Sequence, residues 1–280
     1  MIKKWLTVIG KTILLLIGIT FLSFLLVYHS PGDPAMVALK KSGMRVSEEA
    51  LELKREELGL NDPFAVQYGR WLNEFFHGDL GESYKTGKAV AGELKKTIPA
   101  TLLLTVAALA LTILISFPIG VLCAKYKDRG FDNMIRFVTY FLSSLPSFFL
   151  ALTLSAWYIR QIRGIVLQEL EQEYVDGLKS RGASENRILF FHVLKNCMLP
   201  IVTLLGMSFG TLLGGSAIVE TIFSWPGVGR LAVTSISARD YPVIQAYVVW
   251  MAMIYLLINA AVEFLCQILD PRVRREKSAR

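Results

Sequence analysis

Five stretches of this chain carry no charged side chain: Thr12–Tyr28 (17 residues), Thr97–Ala124 (28), Phe137–Ile159 (23), Asn196–Val219 (24) and Tyr241–Val262 (22). A helix needs about 20 mainly apolar residues to cross the hydrocarbon core of a bilayer. One such run can be a core helix of a soluble domain. Five in a chain of 280 residues, separated by basic loops, point to an all-α integral membrane protein. The 19% of charged residues, against about 25% in soluble domains, agrees with this. The first run has a basic start, as a signal peptide does, but no small-residue cleavage site follows Tyr28, so it reads as an uncleaved anchor. Cys123, Cys197 and Cys266 are odd in number and far apart, which excludes a disulfide framework and a C-x-x-C site; each reads as a small buried hydrophobe.

Basic residues orient the runs, because short loops rich in Lys and Arg stay cytoplasmic. Lys3, Lys4 and Lys11 precede the first run; Lys125, Lys127, Arg129 and Arg136 follow the second; residues 160–195 hold Arg160, Arg163, Lys179, Arg181, Arg187 and Lys195; the tail is basic from Arg272 onward. Residues 220–240 hold only Arg230 and Arg239, and 30–96 balance ten basic against eleven acidic residues. Both termini therefore read as cytoplasmic, with 30–96 and 220–240 outside. This leaves the run 137–159 with basic cytoplasmic flanks at both ends. At 1.5 Å per residue it spans about 35 Å, one crossing and not two. Three explanations are open: a re-entrant element bent at Ser143-Ser144-Leu145-Pro146, a wrong orientation, or a missing crossing.

Between the third and fourth runs, Ile162, Ile165, Val166, Leu170, Tyr174 and Val175 recur near helical spacing. Gly182 interrupts, and Ser184 is placed to cap a second piece from Ile188 to Leu194. By periodicity alone, this amphipathic pair suits either a membrane surface or a groove on a cytoplasmic partner.

The segment Tyr174-Val175-Asp176-Gly177-Leu178-Lys179-Ser180-Arg181-Gly182-Ala183-Ser184-Glu185 resembles the coupling loop of bacterial ABC importer permeases, in which a Glu-Ala-Ala motif precedes a glycine. His192-Val193-Leu194-Lys195-Asn196, Glu220 through Arg230 (ETIFSWPGVGR), Arg239-Asp240-Tyr241-Pro242-Val243-Ile244-Gln245 and Leu269-Asp270-Pro271-Arg272 are similar to the peptide/nickel subgroup. So are Pro31-Gly32-Asp33-Pro34, Leu58-Gly59-Leu60-Asn61-Asp62-Pro63 and Gly78-Asp79-Leu80-Gly81. The chain departs from the pattern at the Glu-Ala-Ala positions, which hold Asp176-Gly177-Leu178, and in its later proline, which comes only at Pro200. It departs further at 150–158, where the start of one family helix joins the end of the next. Roughly 40 residues, one crossing and a loop, are missing there.

The resemblance implies a MetI-like transmembrane domain with five recognisable apolar segments where the family usually has six. Its parts are a first helix over 1–30, an extracytoplasmic segment over 31–96 and a core permease domain over 97–280 with coupling helices at about 160–195. It implies a multi-pass protein of the bacterial inner membrane that pairs with a second, homologous permease, commonly a heterodimer. The pair sits on two cytoplasmic ATPase subunits and receives peptides or nickel and other metal chelates from an extracytoplasmic binding protein. ATP and Mg belong to the ATPases; this chain itself has no cofactor, metal or catalytic residue. Tyr174, Asp176, Leu178, Gly182, Ser184, Arg187, Ile188 and Leu189 would couple to the ATPase, with Leu178, Ile188 and Leu189 docking in its groove. Trp225, Pro226, Gly227 and Gly229 would form an external turn at the pore mouth.

Polar residues within or at the edge of the runs, Ser208, Thr211, Ser216, Glu220 and Asn259, are candidates for a translocation path, although small and hydroxyl side chains also favour plain helix packing. Glu220 and Glu263 read slightly better as interfacial. Gly81-Glu82-Ser83-Tyr84-Lys85-Thr86-Gly87-Lys88 imitates a phosphate-binding loop, but has five residues between its glycines and Ala89 in place of the Mg-binding hydroxyl. His29, His77 and His192 are far apart and form no zinc motif. A secondary transporter or channel would favour internal repeats and intramembrane charges, and neither is found. The net charge of +7 is concentrated in the cytoplasmic segments and fits lipid-facing loops rather than nucleic acid.

Overall fold

A computed structural model describes residues 2–29, 33–41, 47–145 and 149–269. The elements are helices: α1 (Ile2–Tyr28), α2 (Pro34–Lys41), α3 (Glu48–Glu57), α4 (Phe64–Phe76), α5 (Val90–Lys125), α6 (Gly130–Ser143), α7 (Leu150–Leu170), α8 (Glu173–Ser180), α9 (Glu185–Arg187), a π-helical stretch (Ile188–Val193), α10 (Leu194–Ile222), α11 (Val228–Ala238) and α12 (Tyr241–Leu269). Among the described residues the only β-pairing outside helices is the bridge between Glu82 and Ala89. Among the described residues, three helical stretches are long and apolar enough to cross a membrane, Val90–Lys125, Glu185–Gly214 and Tyr241–Cys266, and Thr12–Tyr28 is a shorter apolar helix.

The run 137–159 is not one helix. It breaks into α6 and α7, which pack together as a hairpin. At 1.5 Å per residue, the 14-residue α6 is about 21 Å long, too short to cross a hydrocarbon core of roughly 30 Å. Residues 146–148, between the two arms, lie outside the described residues, and with them part of the expected bend at Ser143-Ser144-Leu145-Pro146. Charged residues hold the base of the hairpin. Arg163 donates from Nε to Asp132 Oδ1 (2.7 Å) and from Nη2 to Oδ2 (2.6 Å), with the Asp132 carboxylate fully buried. Arg160 Nη1 donates to the Thr139 carbonyl (2.9 Å) and to Ser143 Oγ (2.6 Å).

The chain folds into two compact units. The first comprises Met1–Leu102 and Glu220–Leu256. Within it, Phe64, Tyr68, Trp71 and Phe75 of α4 recur at helical spacing and form one aromatic stripe. Phe21, Phe24 and Tyr28 of α1 meet that stripe edge-on, with ring centroids 5.2–5.6 Å apart where they touch Phe64 and Tyr68. The charged α3 starts at a Ser47 cap, whose Oγ accepts from Ala50 N, with Glu48 and Glu49 in its first turn and Lys54 and Arg55 in its last.

The second unit comprises Leu103–Val219 and Leu257–Arg280. Its core joins Val121 of α5, Tyr158, Ile162 and Val166 of α7, Val175 of α8, Ile188, Leu189 and Val193 of the π-helical stretch, and Cys197 and Ile201 of α10. Gly206 lets α10 lie against α12, since a Cβ there would come within 2.1 Å of Val262 Cγ2, whereas a Cβ at Gly214 would meet nothing within 4 Å. Cys123 and Cys197 are buried as expected, whereas Cys266 is only half-buried, its Sγ 3.3 Å from Thr203 Oγ1.

Candidate functional site: the α8–α9 element and the 220–230 turn

The α8–α9 element projects from the second unit as two short helices joined by a left-handed turn at Gly182 (φ +79°). A Cβ is strained at this angle, which is why glycine breaks the periodic pattern here. Ala183 N donates to the Leu178 carbonyl and Gly182 N to that of Lys179, closing α8. Ser184 has the extended backbone of a cap, but its side chain makes no capping bond. Asp176, Gly182, Ser184 and Arg187 are exposed and Leu178 is half-buried.

Ile188 and Leu189, expected to dock in a partner's groove, are instead 1% and 3% exposed in the core of their own unit. Buried in this chain, they offer no surface to another. The reason is the register from Leu189 onward: Leu189, Val193, Cys197 and Ile201 are spaced by four, and four-residue steps overshoot an α-helical turn by about 40° each. The wider π turn brings the stripe back to one face. Phe190 and Phe191 are thereby turned outward, 53% and 74% exposed.

Tyr174 ties this element to its neighbours. Its hydroxyl donates to Glu169 Oε1 (2.8 Å), and Asn196 Nδ2 donates to the same oxygen (2.8 Å). Burial, and then the hydrogen bond to the Glu169 carboxylate, push the Tyr174 phenol up to about 12, so it remains a donor at physiological pH.

In the first unit, the turn between α10 and α11 is built around Glu220. This residue, read from sequence as interfacial, is fully buried. Its Oε1 accepts from Thr101 Oγ1 (2.7 Å) and its Oε2 from Arg230 N (2.9 Å). Thr101 Oγ1 accepts in turn from Val228 N (2.8 Å), so one hydroxyl links the carboxylate to the start of α11. Gly227 lies against the carboxylate: a Cβ there would be 2.3 Å from Glu220 Cδ. Trp225 Nε1 donates to the Ala100 carbonyl (3.0 Å), and Arg230 Nη1 to the Ser224 carbonyl (2.7 Å). Trp225 and Pro226 are exposed, while Gly227 and Gly229 are buried. A second buried carboxylate, Asp240, accepts from Ser83 Oγ, Tyr84 N (2.9 Å) and Lys85 N (3.2 Å). The stretch that imitates a phosphate loop is thus a turn whose donors already hold a carboxylate. Burial, with Asp240 beside it, pushes the Tyr84 phenol up to about 12.

The remaining pathway candidates do not converge. Ser208 and Ser216 are buried and donate to the carbonyls of Leu204 (3.0 Å) and Leu213 (2.8 Å). Ser216 borders a cavity of about 240 Å³ together with Thr105. Asn259 and Glu263 are exposed on α12, and the Thr211 side chain lies outside the described residues. Thr101, Asp132 and Glu169 were not singled out from sequence, because their partners lie 27 to 119 positions away, whereas Asn196 lay in a quoted motif. So did Asp240.

Two family models match the chain: binding-protein-dependent transport system inner membrane component over residues 149–275, and the N-terminal part of such membrane components over 1–105. The nickel import system permease protein NikB of Staphylococcus aureus (strain USA300) is 33% identical, covering 98% of this chain and 92% of that protein; its counterpart in strain bovine RF122 / ET3-1 is 34% identical over the same shares. The alignment runs to 302 positions against a chain of 280 residues. At least about 20 positions of the relative, close to one crossing, therefore face gaps here. Among solved structures, the inward-facing MetNI methionine ABC transporter (CY5 native crystal form) matches with a TM-score of 0.56 at 16% identity, covering 63% of this chain and 96% of that one. The MetI-like helical fold, the exposed α8–α9 element and near full-length similarity to known permeases together establish that this chain belongs to the binding-protein-dependent inner membrane components, the permease subunits of ABC importers.

Proposed function

We propose that this chain carries peptides or chelated nickel and related metals into the cell as one half of a permease pair. Its partners are a second, homologous permease, two cytoplasmic ATPase subunits and an extracytoplasmic binding protein. In this reading both termini and residues 125–136 and 160–195 are cytoplasmic, and 31–96 and the 220–240 turn are outside. A first helix over 1–30 and a core over 97–280 flank the outer segment. The chain performs no catalysis and holds no cofactor; ATP and Mg act in the ATPases.

The observation that carries this reading is the α8–α9 element. It exposes Tyr174, Asp176, Ser184 and Arg187 while Val175, Ile188 and Leu189 anchor it in the core of the second unit. An element held by a close-packed core moves with that core as a body. A push on α8 from a closing ATPase dimer is therefore passed to α7 and α10. Leu178 remains the half-buried apolar contact, and Tyr174 takes the place expected for Ile188 and Leu189. The 220–230 turn, rigid through Glu220, is assigned to the outer mouth.

The test is co-expression with ATPase subunits of a binding-protein-dependent importer from the same organism. A tagged chain should retain them through detergent extraction, and Asp176→Lys with Arg187→Glu should lower retention. An ATPase that is never retained by the wild-type chain overturns the reading.

A further inference from the structure

The second unit contains a cavity of about 240 Å³ walled by α5, α7 and α10. Leu104, Ala108, Leu152 and Leu212 make most of the wall apolar. Phe149 and Leu152, also in the lining, are exposed, so the cavity opens on the surface of the unit. The α5 wall belongs to a helix long and apolar enough to cross a membrane. What reaches the cavity is therefore a molecule that dissolves in a bilayer.

The polar atoms of the lining show what that molecule must carry. Among the described residues three buried side-chain oxygens lack a partner, and Thr105 Oγ1 is the one that lines this cavity. Thr105 is 1% exposed. A helical threonine usually bonds the carbonyl one turn back, and this one does not. Buried polar groups are nearly always paired, so the Thr105 hydroxyl is placed for a partner that enters the cavity. Ser216, on the α10 wall, donates its proton to the Leu213 carbonyl (2.8 Å) and keeps its oxygen lone pairs. The wall thus offers one proton, from Thr105, and one acceptor, from Ser216.

Size and charge narrow the choice. An apolar cavity of about 150 Å³ holds benzene, so the volume here suits roughly nine or ten non-hydrogen atoms. Among the described residues no charged side chain lines it. An unpaired charge in such a site is costly, which excludes an ion.

We propose that the cavity binds a medium-chain aliphatic alcohol. Its oxygen accepts from Thr105 Oγ1 and donates to Ser216 Oγ, and its chain lies on Leu104, Leu152 and Leu212. This goes beyond the permease reading and does not depend on it, because the site lies within one unit and its occupant is not cargo.

The test is photolabelling of the full chain in lipid nanodiscs with a diazirine-bearing octanol, mapped by mass spectrometry. Labels should fall within residues 104–108, 149–152 or 212–219 and should saturate. Octanol, methyl heptyl ether and octane compete at equal mole fraction in the bilayer, which separates the hydrogen bonds from the apolar contact. Octanol should displace the label at about tenfold lower concentration than octane, with the ether between them. Thr105→Val, close to isosteric, should remove most of that preference, and Thr105→Ser should keep it. The proposal is overturned by the absence of label in these stretches, as for a cavity that holds water alone, or by labelling that no competitor displaces. Octane as potent as octanol, or a wild-type preference in Thr105→Val, overturns it as well.

Discussion

Glu220 is a carboxylate whose surroundings, more than its position at the end of an apolar run, decide what it does. Both of its oxygens are occupied, and one of its partners, Thr101, also accepts from Val228 N. Thr101→Val removes both bonds at once and leaves a buried charge and a buried N–H short of partners. A stability loss of about 2 kcal/mol, seen as a lowered thermal midpoint of the purified protein, is expected, whereas Thr101→Ser should stay near wild type. Gly227→Ala should loosen the same turn, because the carboxylate occupies the space of the new methyl group; faster proteolysis within 223–228 would show it. Asp132 is a second such case. The Arg163 guanidinium holds its carboxyl below the usual carboxylate range. A lowered native pKa means that the pair stabilises fully above the unfolded value of about 3.9 and is lost as pH falls through the native one. Asp132→Asn should cost about 3 kcal/mol at neutral pH. The gap to wild type should stay constant down to about pH 5 and narrow only below it. A gap that already narrows between pH 8 and 6 would contradict this assignment.

At the scale of elements, the α8–α9 pair was legible from its periodicity and its glycine, but its buried face was not. Ile188 and Leu189 were expected outside because the sequence shows an amphipathic pattern without saying which neighbour covers it. The π-helical turn rotates that stripe inward and Phe190 and Phe191 outward. Gly182→Val should impose strain of about 1–2 kcal/mol at φ +79°. The expected result is an assembled importer that hydrolyses ATP with a lower ratio of transport to hydrolysis. An unchanged ratio would mean that the left-handed turn has no mechanical part. The α6–α7 hairpin was likewise half legible. A basic flank at both ends of one run signalled a contradiction, and the Ser143–Pro146 stretch marked a place to bend. Only the pairing of Arg163 with Asp132 and of Arg160 with Thr139 and Ser143 shows how the two arms are held.

At the scale of the molecule, sidedness separates a re-entrant α6–α7 segment from a crossing one. Lys127 and Glu171 lie at opposite ends of the α6–α7 segment and form an ion pair at 3.1 Å. Single cysteines at Lys127 and Glu171, in a background without Cys123, Cys197 and Cys266, should both resist membrane-impermeant thiol reagents in intact cells. Together they should cross-link to each other. Labelling of one and not the other would require a full crossing between them and would refute the re-entrant hairpin. The alignment is longer than the chain itself, so at least about 20 positions of the relative face gaps here. What the sequence by itself determined was the set of apolar runs, the family and the charge conflict at 137–159, since hydropathy, charge and short motifs are local properties read along the chain. What only the tertiary structure decided was which polar groups meet. Glu220 with Thr101, Asp240 with the 83–85 turn and Asp132 with Arg163 are 31 to 157 positions apart. A buried charge is tolerated only where folding brings its partners to it.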